Sequence, residues 1–510
     1  MLRFRLVACC SGAAVMMAEM TAARAIAPYF GSSIVVWTNV IGIVLVALAF
    51  GYWAGGRIAE ARPDPRVLGG IIATAGALLL IPAFAVQVVG STLLRAVLAS
   101  GNGFAAIATG SFIAVALLFA LPMALLGMVA PYLVQLAVTP RDAVGRTAGS
   151  LYALSTLGSL VGTFLPALVL LPLIGMRRTL LVAAVLLLLT SALLLPRPRR
   201  VVAGAALIMA VVFAVGSDGA PWVFGGTVVA AAESRYQYLR IVDRPARDSS
   251  SHPERLLLFN EGFGVQSMAV RDDGVPNGYF TTAASLPALF PPARPLRILV
   301  LGNAGGTIGN LMQRYFPDRA LDITGVELDP MVTALAREYF PPPPQPYPIV
   351  HADSRVFVRQ SDAAYDVIVV DAYTDQLTIP AHLVTREFFA LLSERLAPEG
   401  VLALNVNAPR DDSRLLVALL QAVRSEFPDV RVAHVAAWNR IVLAGTSLPP
   451  IAREYESVLP ARIAEEFTAF TRALQPVQHD PAVRPFTDDW APIELYTDLE
   501  VFQGYAKRGG

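Results

Sequence analysis

Seven long apolar stretches dominate the N-terminal part of this chain, near residues 6–29, 33–54, 67–90, 104–137, 148–173, 178–195 and 201–217. A helix needs roughly 20 such residues to cross about 30 Å of hydrocarbon, where every backbone N–H and C=O must be paired within the segment. Residues 1–218 are therefore expected to form a multi-span α-helical membrane domain of about seven helices, with 201–217 the weakest. The first stretch carries Glu19 and Arg24 inside its apolar run and is followed directly by further spans, unlike a cleaved signal peptide. Composition agrees: 55% of the 510 residues are apolar and the mean hydropathy is +0.55, too high for an ordinary water-soluble chain. A formal net charge of +1 without long basic blocks argues against a nucleic-acid partner. Cys9 and Cys10 are adjacent in an apolar run, so they build neither a disulfide framework nor a metal cluster.

Beyond Gly219 charges recur and apolar runs shorten to strand length. Residues 219–292 read as a small β-domain, with short strands at Tyr236 to Val242, Leu256 to Phe259 and Gln266 to Val270 separated by turn signals. From 293 to 510 strand and helix patterns alternate. Arg297 to Leu301, Leu321 to Val326, Asp366 to Val370 and Val401 to Val406 are expected as buried parallel strands of a doubly wound α/β sheet. Pro341 to Pro344 is a rigid loop before a further strand.

The strongest local signal is the buried strand that runs into Gly302-Asn-Ala-Gly305-Gly306-Thr307 and then a helix. Glycines there let the backbone approach a ligand and aim helix N-terminal amides at it; a tight turn with no ligand is the alternative. Later strands end in Glu327-Leu-Asp329-Pro330, His351-Ala-Asp353-Ser354-Arg355 and Asp371-Ala-Tyr373. Any one of these acids alone reads as a helix N-cap or a solvated charge. Three opening onto one sheet edge behind a glycine loop favour a nucleoside cleft: Glu327 for the ribose diol, Asp353 on the adenine side, Asp371 nearest the reacting centre.

Read in order, Glu233-Ser-Arg-Tyr236-Gln237, Gly264-Val-Gln266-Ser267, Tyr279, the glycine loop, Glu327-Leu-Asp-Pro330, Asp353-Ser354-Arg355, Asp371 and Thr487-Asp488-Asp489-Trp490 resemble the spermidine/spermine synthase family. The membrane half resembles bacterial multi-span proteins fused to such a domain, through Pro28-Tyr-Phe-Gly31, Gly51-Tyr-Trp-Ala-Gly55, Leu126-Gly127-Met-Val-Ala-Pro131 and Tyr152-Ala-Leu-Ser-Thr156. The resemblance implies a Rossmann-like, class I methyltransferase-like fold. It also implies aminopropyl transfer from decarboxylated S-adenosylmethionine to a small amine, releasing methylthioadenosine, with no metal. By matching position Asp371 is the base or amine anchor, Tyr279 and Gln237 line the site, and Gln266, with Gly302, Gly305, Gly306 and Ser354, faces the nucleoside. Tyr236 is expected to be a core aromatic.

Two departures stand out. The family's glycine loop carries an Asp for the cofactor's free amine where this chain has Gly305, and the second acid of its paired motif is replaced by Thr374, with Asp375 one residue late. A methyltransferase using intact S-adenosylmethionine is therefore the enzymatic alternative, and a non-catalytic polyamine or nucleoside transporter or sensor the alternative from another class.

Arginine placement puts the N-terminus in the cytoplasm of a bacterial inner membrane: Arg3, Arg5, Arg57, Arg62, Arg66, Arg141, Arg146, Arg197, Arg199 and Arg200 share one side, Arg95, Arg177 and Arg178 the other. Seven spans would carry the C-terminal domain outside, away from nucleoside cofactors. A cytoplasmic domain is expected on chemical grounds, with one span miscounted, either the long segment around Pro122 or 201–217. Glu19 and Arg24 could pair within the first span. Gly145 with Gly149 and Gly158 with Gly162 permit close helix contact or homodimerisation.

Overall fold

The computed structural model describes residues 1–30, 34–99, 103–138, 144–198, 202, 204–205, 226–246, 252–260, 264–270, 276, 278–374, 378–436, 438–449, 459–497 and 500. They form two compact units, Met1–Trp222 with Glu233–Tyr236, and Val223–Ala232 with Gln237–Gly510.

The first unit contains, among the described residues, six helices long and apolar enough to cross a membrane: Leu2–Phe30, Val35–Ala61, Pro65–Ala96, Ala108–Ala137, Val144–Leu170 and Leu173–Ala192. The seventh expected stretch, 201–217, lies almost wholly outside the described residues. Helix Ala108–Ala137 widens into a π-turn at Ala116–Ala120 just before Pro122, as expected where proline cannot donate to the ladder. The two glycine pairs behave differently. A side chain at Gly158 or Gly162 would collide with the carbonyl oxygens of Cys9 and Ala13, so this helix lies backbone to backbone on Leu2–Phe30. Gly145 and Gly149 face open space. Arg24 does not pair with Glu19: its guanidinium donates to the carbonyls of Arg235 at 2.7 Å and Tyr236 at 3.0 Å, which belong to this same unit. Tyr236 is 48% exposed, in a turn where its N–H donates to Ser234 Oγ at 3.1 Å, and is not a core aromatic.

The second unit begins with a four-stranded sheet, β1 (Thr227–Glu233), β2 (Tyr238–Arg244), β3 (Glu254–Phe259) and β4 (Val265–Val270), in that order. Leu239, Ile241, Leu257 and Phe259 pack on Val332, Leu335 and Phe340, so this sheet sits against helix Pro330–Tyr339. An eight-stranded sheet follows: β5 (Leu296–Leu301), β6 (Leu321–Glu327), β7 (Ile349–His351), β8 (Tyr365–Val370), β9 (Leu396–Asn407), β10 (Asp429–His434), β11 (Asn439–Gly445) and β12 (Gln475–Pro476). Its order is β12-β10-β11-β9-β8-β5-β6-β7. Strands β5 to β9 pair in parallel, and β11, β10 and β12 extend the sheet antiparallel.

The unbroken apolar runs of the parallel strands follow from burial on both faces. Leu299, Leu301, Ile368, Val370, Leu402 and Leu404 pack on one side with Phe388, Phe389 and Leu392 of helix Arg386–Arg395. Ile298, Val300, Val367, Val369, Val401 and Ala403 pack on the other with Ile308, Met312 and Phe467. The fold is thus a Rossmann-like, class I methyltransferase-like α/β domain preceded by a small β-sheet and a multi-span helical part. Strand order reverses around β5, between β6 and β8, which is where open α/β sheets place ligands.

Candidate active site

The loop after β5 is shaped by what it must avoid. Gly302 has φ +87°, and a side chain there would collide with the Asp371 carbonyl oxygen. The glycine therefore lets β5 and β8 deliver their loops to one spot, and Asp371 N–H donates to Leu301 O at 2.8 Å. Gly306, at φ +81°, caps helix Thr307–Tyr315 in the left-handed region that glycine adopts without strain. Gly305 N–H donates to Ser267 Oγ at 2.7 Å and Met268 N–H to Thr307 Oγ1 at 3.0 Å, which sew β4 and its Gln266 to the loop.

Glu327 ends β6 and is 7% exposed. Its Oε2 accepts from Ala304 N–H and its Oε1 from Asp329 N–H, each at 2.9 Å. Burial pushes its carboxyl up to about 7, against the lowering effect of those backbone donors. The side chain thus joins the glycine loop to the next helix. Asp329 caps helix Pro330–Tyr339 through Met331 N–H.

Asp371, just past β8, is partly buried and receives two hydrogen bonds. Tyr279 Oη–H donates to its Oδ2 at 3.1 Å and Asn405 Nδ2 to its Oδ1 at 2.9 Å. Loss of hydration pushes its carboxyl up to about 7 while both donors hold it down. Burial also pushes the Tyr279 and Tyr373 hydroxyls well above the usual phenol range, so both are neutral donors at physiological pH.

Asp353 does what a lone acid before a helix does. Its Oδ1 caps helix Ser354–Gln360 by accepting from Arg355 and Val356 N–H, each at 3.0 Å, while Oδ2 meets His382 Nε2 at 2.8 Å. Ala352 N–H donates to Glu327 O at 3.2 Å, so this turn lies beside the end of β6. Ser354 is buried in the first turn. Arg355 forms a bidentate pair with Asp488 at 2.6 and 2.7 Å, and Thr385 Oγ1 donates to the same carboxylate at 2.7 Å, which locks the Thr487 to Trp490 segment over this edge.

The loop, Glu327, Asp371, Tyr279 and the Gln266–Ser267 pair are connected by direct contacts across the carboxyl edge of β5, β6 and β8, with Asp353 one turn away. Gln237 is buried, just ahead of β2. Asp375 lies outside the described residues. Asn405, Asn407, Asn439 and His382 were not picked out from the sequence. The one signal for the first two was a pair of asparagines, two residues apart, closing an otherwise apolar strand.

A spermine/spermidine synthase domain matches residues 279–438. A probable polyamine aminopropyl transferase of Bifidobacterium longum is 37% identical over 211 residues, covering 41% of this chain and 44% of the relative. The polyamine aminopropyltransferase of Vibrio vulnificus is 30% identical over 252 residues, covering 47% of this chain and 79% of the relative. That of Mycobacterium tuberculosis is 27% identical over 494 residues, covering 86% of this chain and 90% of the relative. The matched domain contains Tyr279, the glycine loop, Glu327, Asp353 and Asp371. The chain belongs to the spermidine synthase, or polyamine aminopropyltransferase, family.

Proposed function

We propose that this protein is a membrane-integrated aminopropyltransferase, which transfers the aminopropyl group of decarboxylated S-adenosylmethionine to a small amine and releases methylthioadenosine. The amine nitrogen forms a bond to the carbon next to the sulfonium as the C–S bond breaks and its electron pair returns to sulfur. The amine must arrive neutral and shed a proton afterwards. Asp371 is the acceptor for that proton, and the observation that carries the reading is its setting: a half-hidden carboxylate, held between two donors, that ionises near neutral pH. Tyr279 lines the amine site, with Asp375 as a second anchor, and Gln237 lines the cofactor side. Gly302, Gly305, Gly306, Gln266, Asp353 and Ser354 border the nucleoside. Glu327 takes the ribose diol. Holding both reactants in line supplies most of the acceleration, since the sulfonium is already a good leaving group.

One observation favours a second reading, methyl transfer from intact S-adenosylmethionine. Gly305 offers no carboxylate to a free amine, its N–H is taken by Ser267, and a side chain there would come within 2.9 Å of Ser267.

The six apolar helices support a bacterial cell membrane as its location, with small amines and the bilayer as its partners. An even number of crossings, such as the six among the described residues, would return the chain to the side of Arg3 and Arg5, the cytoplasmic side where the nucleoside is made. One experiment tests reaction and side together: inverted and right-side-out vesicles are given each cofactor form with 1,4-diaminobutane, and products are identified by mass spectrometry. Methylthioadenosine from inverted vesicles alone is expected. S-adenosylhomocysteine would establish the second reading, and product from right-side-out vesicles would overturn the placement.

A further inference from the structure

The described residues around Asp371 include a polar cluster on β9 and β11 that the proposed chemistry does not itself use. Asn405 and Asn407 are two apart on β9 and so share a face, and the antiparallel register sets Asn439 of β11 opposite Asn407 and diagonal to Asn405. Asn439 Nδ2 donates to Asn405 Oδ1 and to Asn407 Oδ1, both at 3.0 Å. Asn405 then has its oxygen end occupied and turns its Nδ2 to Asp371 Oδ1 at 2.9 Å. Asn405 is 4% exposed, so solvent does not easily replace either bond.

A primary amide can present either end. An ionised carboxylate needs the N–H end, and an amide oxygen turned towards it would repel it. What decides between them is the neighbour that claims the other end, and here that neighbour is Asn439. Its own place is rigid: Ala408 N–H donates to Trp438 O at 2.7 Å, and the adjoining Arg440, 3% exposed, donates to Asp411 Oδ1 at 2.7 Å and to the Ala408 carbonyl. Tyr373 closes the arrangement from the β8 side, where its hydroxyl donates to Asn405 O at 2.8 Å and accepts from Asn407 N–H at 3.2 Å.

We propose that Asn439 is a positioning residue which, through the amide of Asn405, aims an N–H at Asp371 and so holds that carboxylate ionised and oriented for the proton of the attacking amine. This rests on Asp371 as the proton acceptor, but the relay can be tested without turnover. The ionisable groups facing Asp371 among the described residues are Tyr279 and Tyr373, and burial raises both hydroxyls well above the usual phenol range.

The pH at which Asp371 ionises is read from the full-length protein in detergent. The melting-temperature difference between a protein with Asp371 and its Asp371→Asn counterpart is followed from pH 5 to 9. Asn439→Leu, which removes the donor at similar volume, is expected to move the midpoint of that difference upward by about one pH unit, the scale of one charge-assisted hydrogen bond. Asn405→Leu should do the same, and adding Asn439→Leu to Asn405→Leu should move it no further. An unmoved midpoint in Asn439→Leu, or a further shift when Asn439→Leu is added to Asn405→Leu, overturns the relay. Asn439→Ser serves in the same series if the leucine variant does not fold. Should Asp371→Asn retain turnover while the midpoints shift as expected, the relay stands and the proton-acceptor role falls.

Discussion

Replacing Glu327 by Gln should make the ligand-free protein more stable at alkaline pH and a poorer nucleoside binder at every pH. Glu327 is nearly buried, and its carboxyl, ordinarily near 4.5, is pushed up to about 7 because burial disfavours the charged form. The folded state therefore holds its proton more tightly than the unfolded chain. Stability from this group is fully present below about pH 4.5 and is lost as pH rises through about 7. At about 1.4 kcal/mol per pH unit the loss amounts to about 3 kcal/mol above pH 8. Gln cannot ionise and escapes that loss. It does give up one acceptor, so either Ala304 N–H or Asp329 N–H faces an NH2 group, a cost of about 1–3 kcal/mol that is the same at all pH values. Relative to the parent, the variant should gain about 3 kcal/mol between pH 5 and pH 9, or roughly 6 °C in melting temperature for a domain of this size. Thermal unfolding in detergent, without nucleoside, measures this directly. A melting-temperature difference between parent and variant that is equal at pH 5 and pH 9 would refute the claim that burial holds Glu327 near neutrality.

Asp371→Asn should lower turnover by about 10²–10⁴-fold, the usual range for a lost proton acceptor, while nucleoside affinity by calorimetry changes little; normal turnover would remove Asp371 from the chemistry. Gly158→Ala should cost about 1–3 kcal/mol by forcing two helix backbones apart, seen as an earlier melt of the membrane unit, whereas Gly149→Ala, facing open space, should leave the melt unchanged or slightly later.

Local pattern was enough for much of this protein. Apolar length alone marked the six helices that, among the described residues, are long and apolar enough to cross a membrane, because in hydrocarbon a helix must satisfy its own backbone and leaves no shorter solution. The strand runs at 297–301, 321–326, 366–370 and 401–406 were legible because burial on both faces leaves nearly unbroken apolar sequence, and the glycine loop because Gly302 and Gly306 occupy backbone conformations that other residues avoid. Contacts between distant residues were not legible. The sequence around Asp353 gave no sign that His382, 29 residues on, meets the second oxygen of this helix-capping carboxylate. Two glycine pairs with the same spacing, 145/149 and 158/162, differ only in whether another helix lies against them. Asn439 gave no local sign of being near Asp371; the antiparallel return of β11 along β9 places its amide beside Asn405, and through it beside the acid. Periodicity and backbone preference are properties of neighbouring residues, whereas the charge state of a carboxylate depends on whichever donors the folded chain brings within about 3 Å of it.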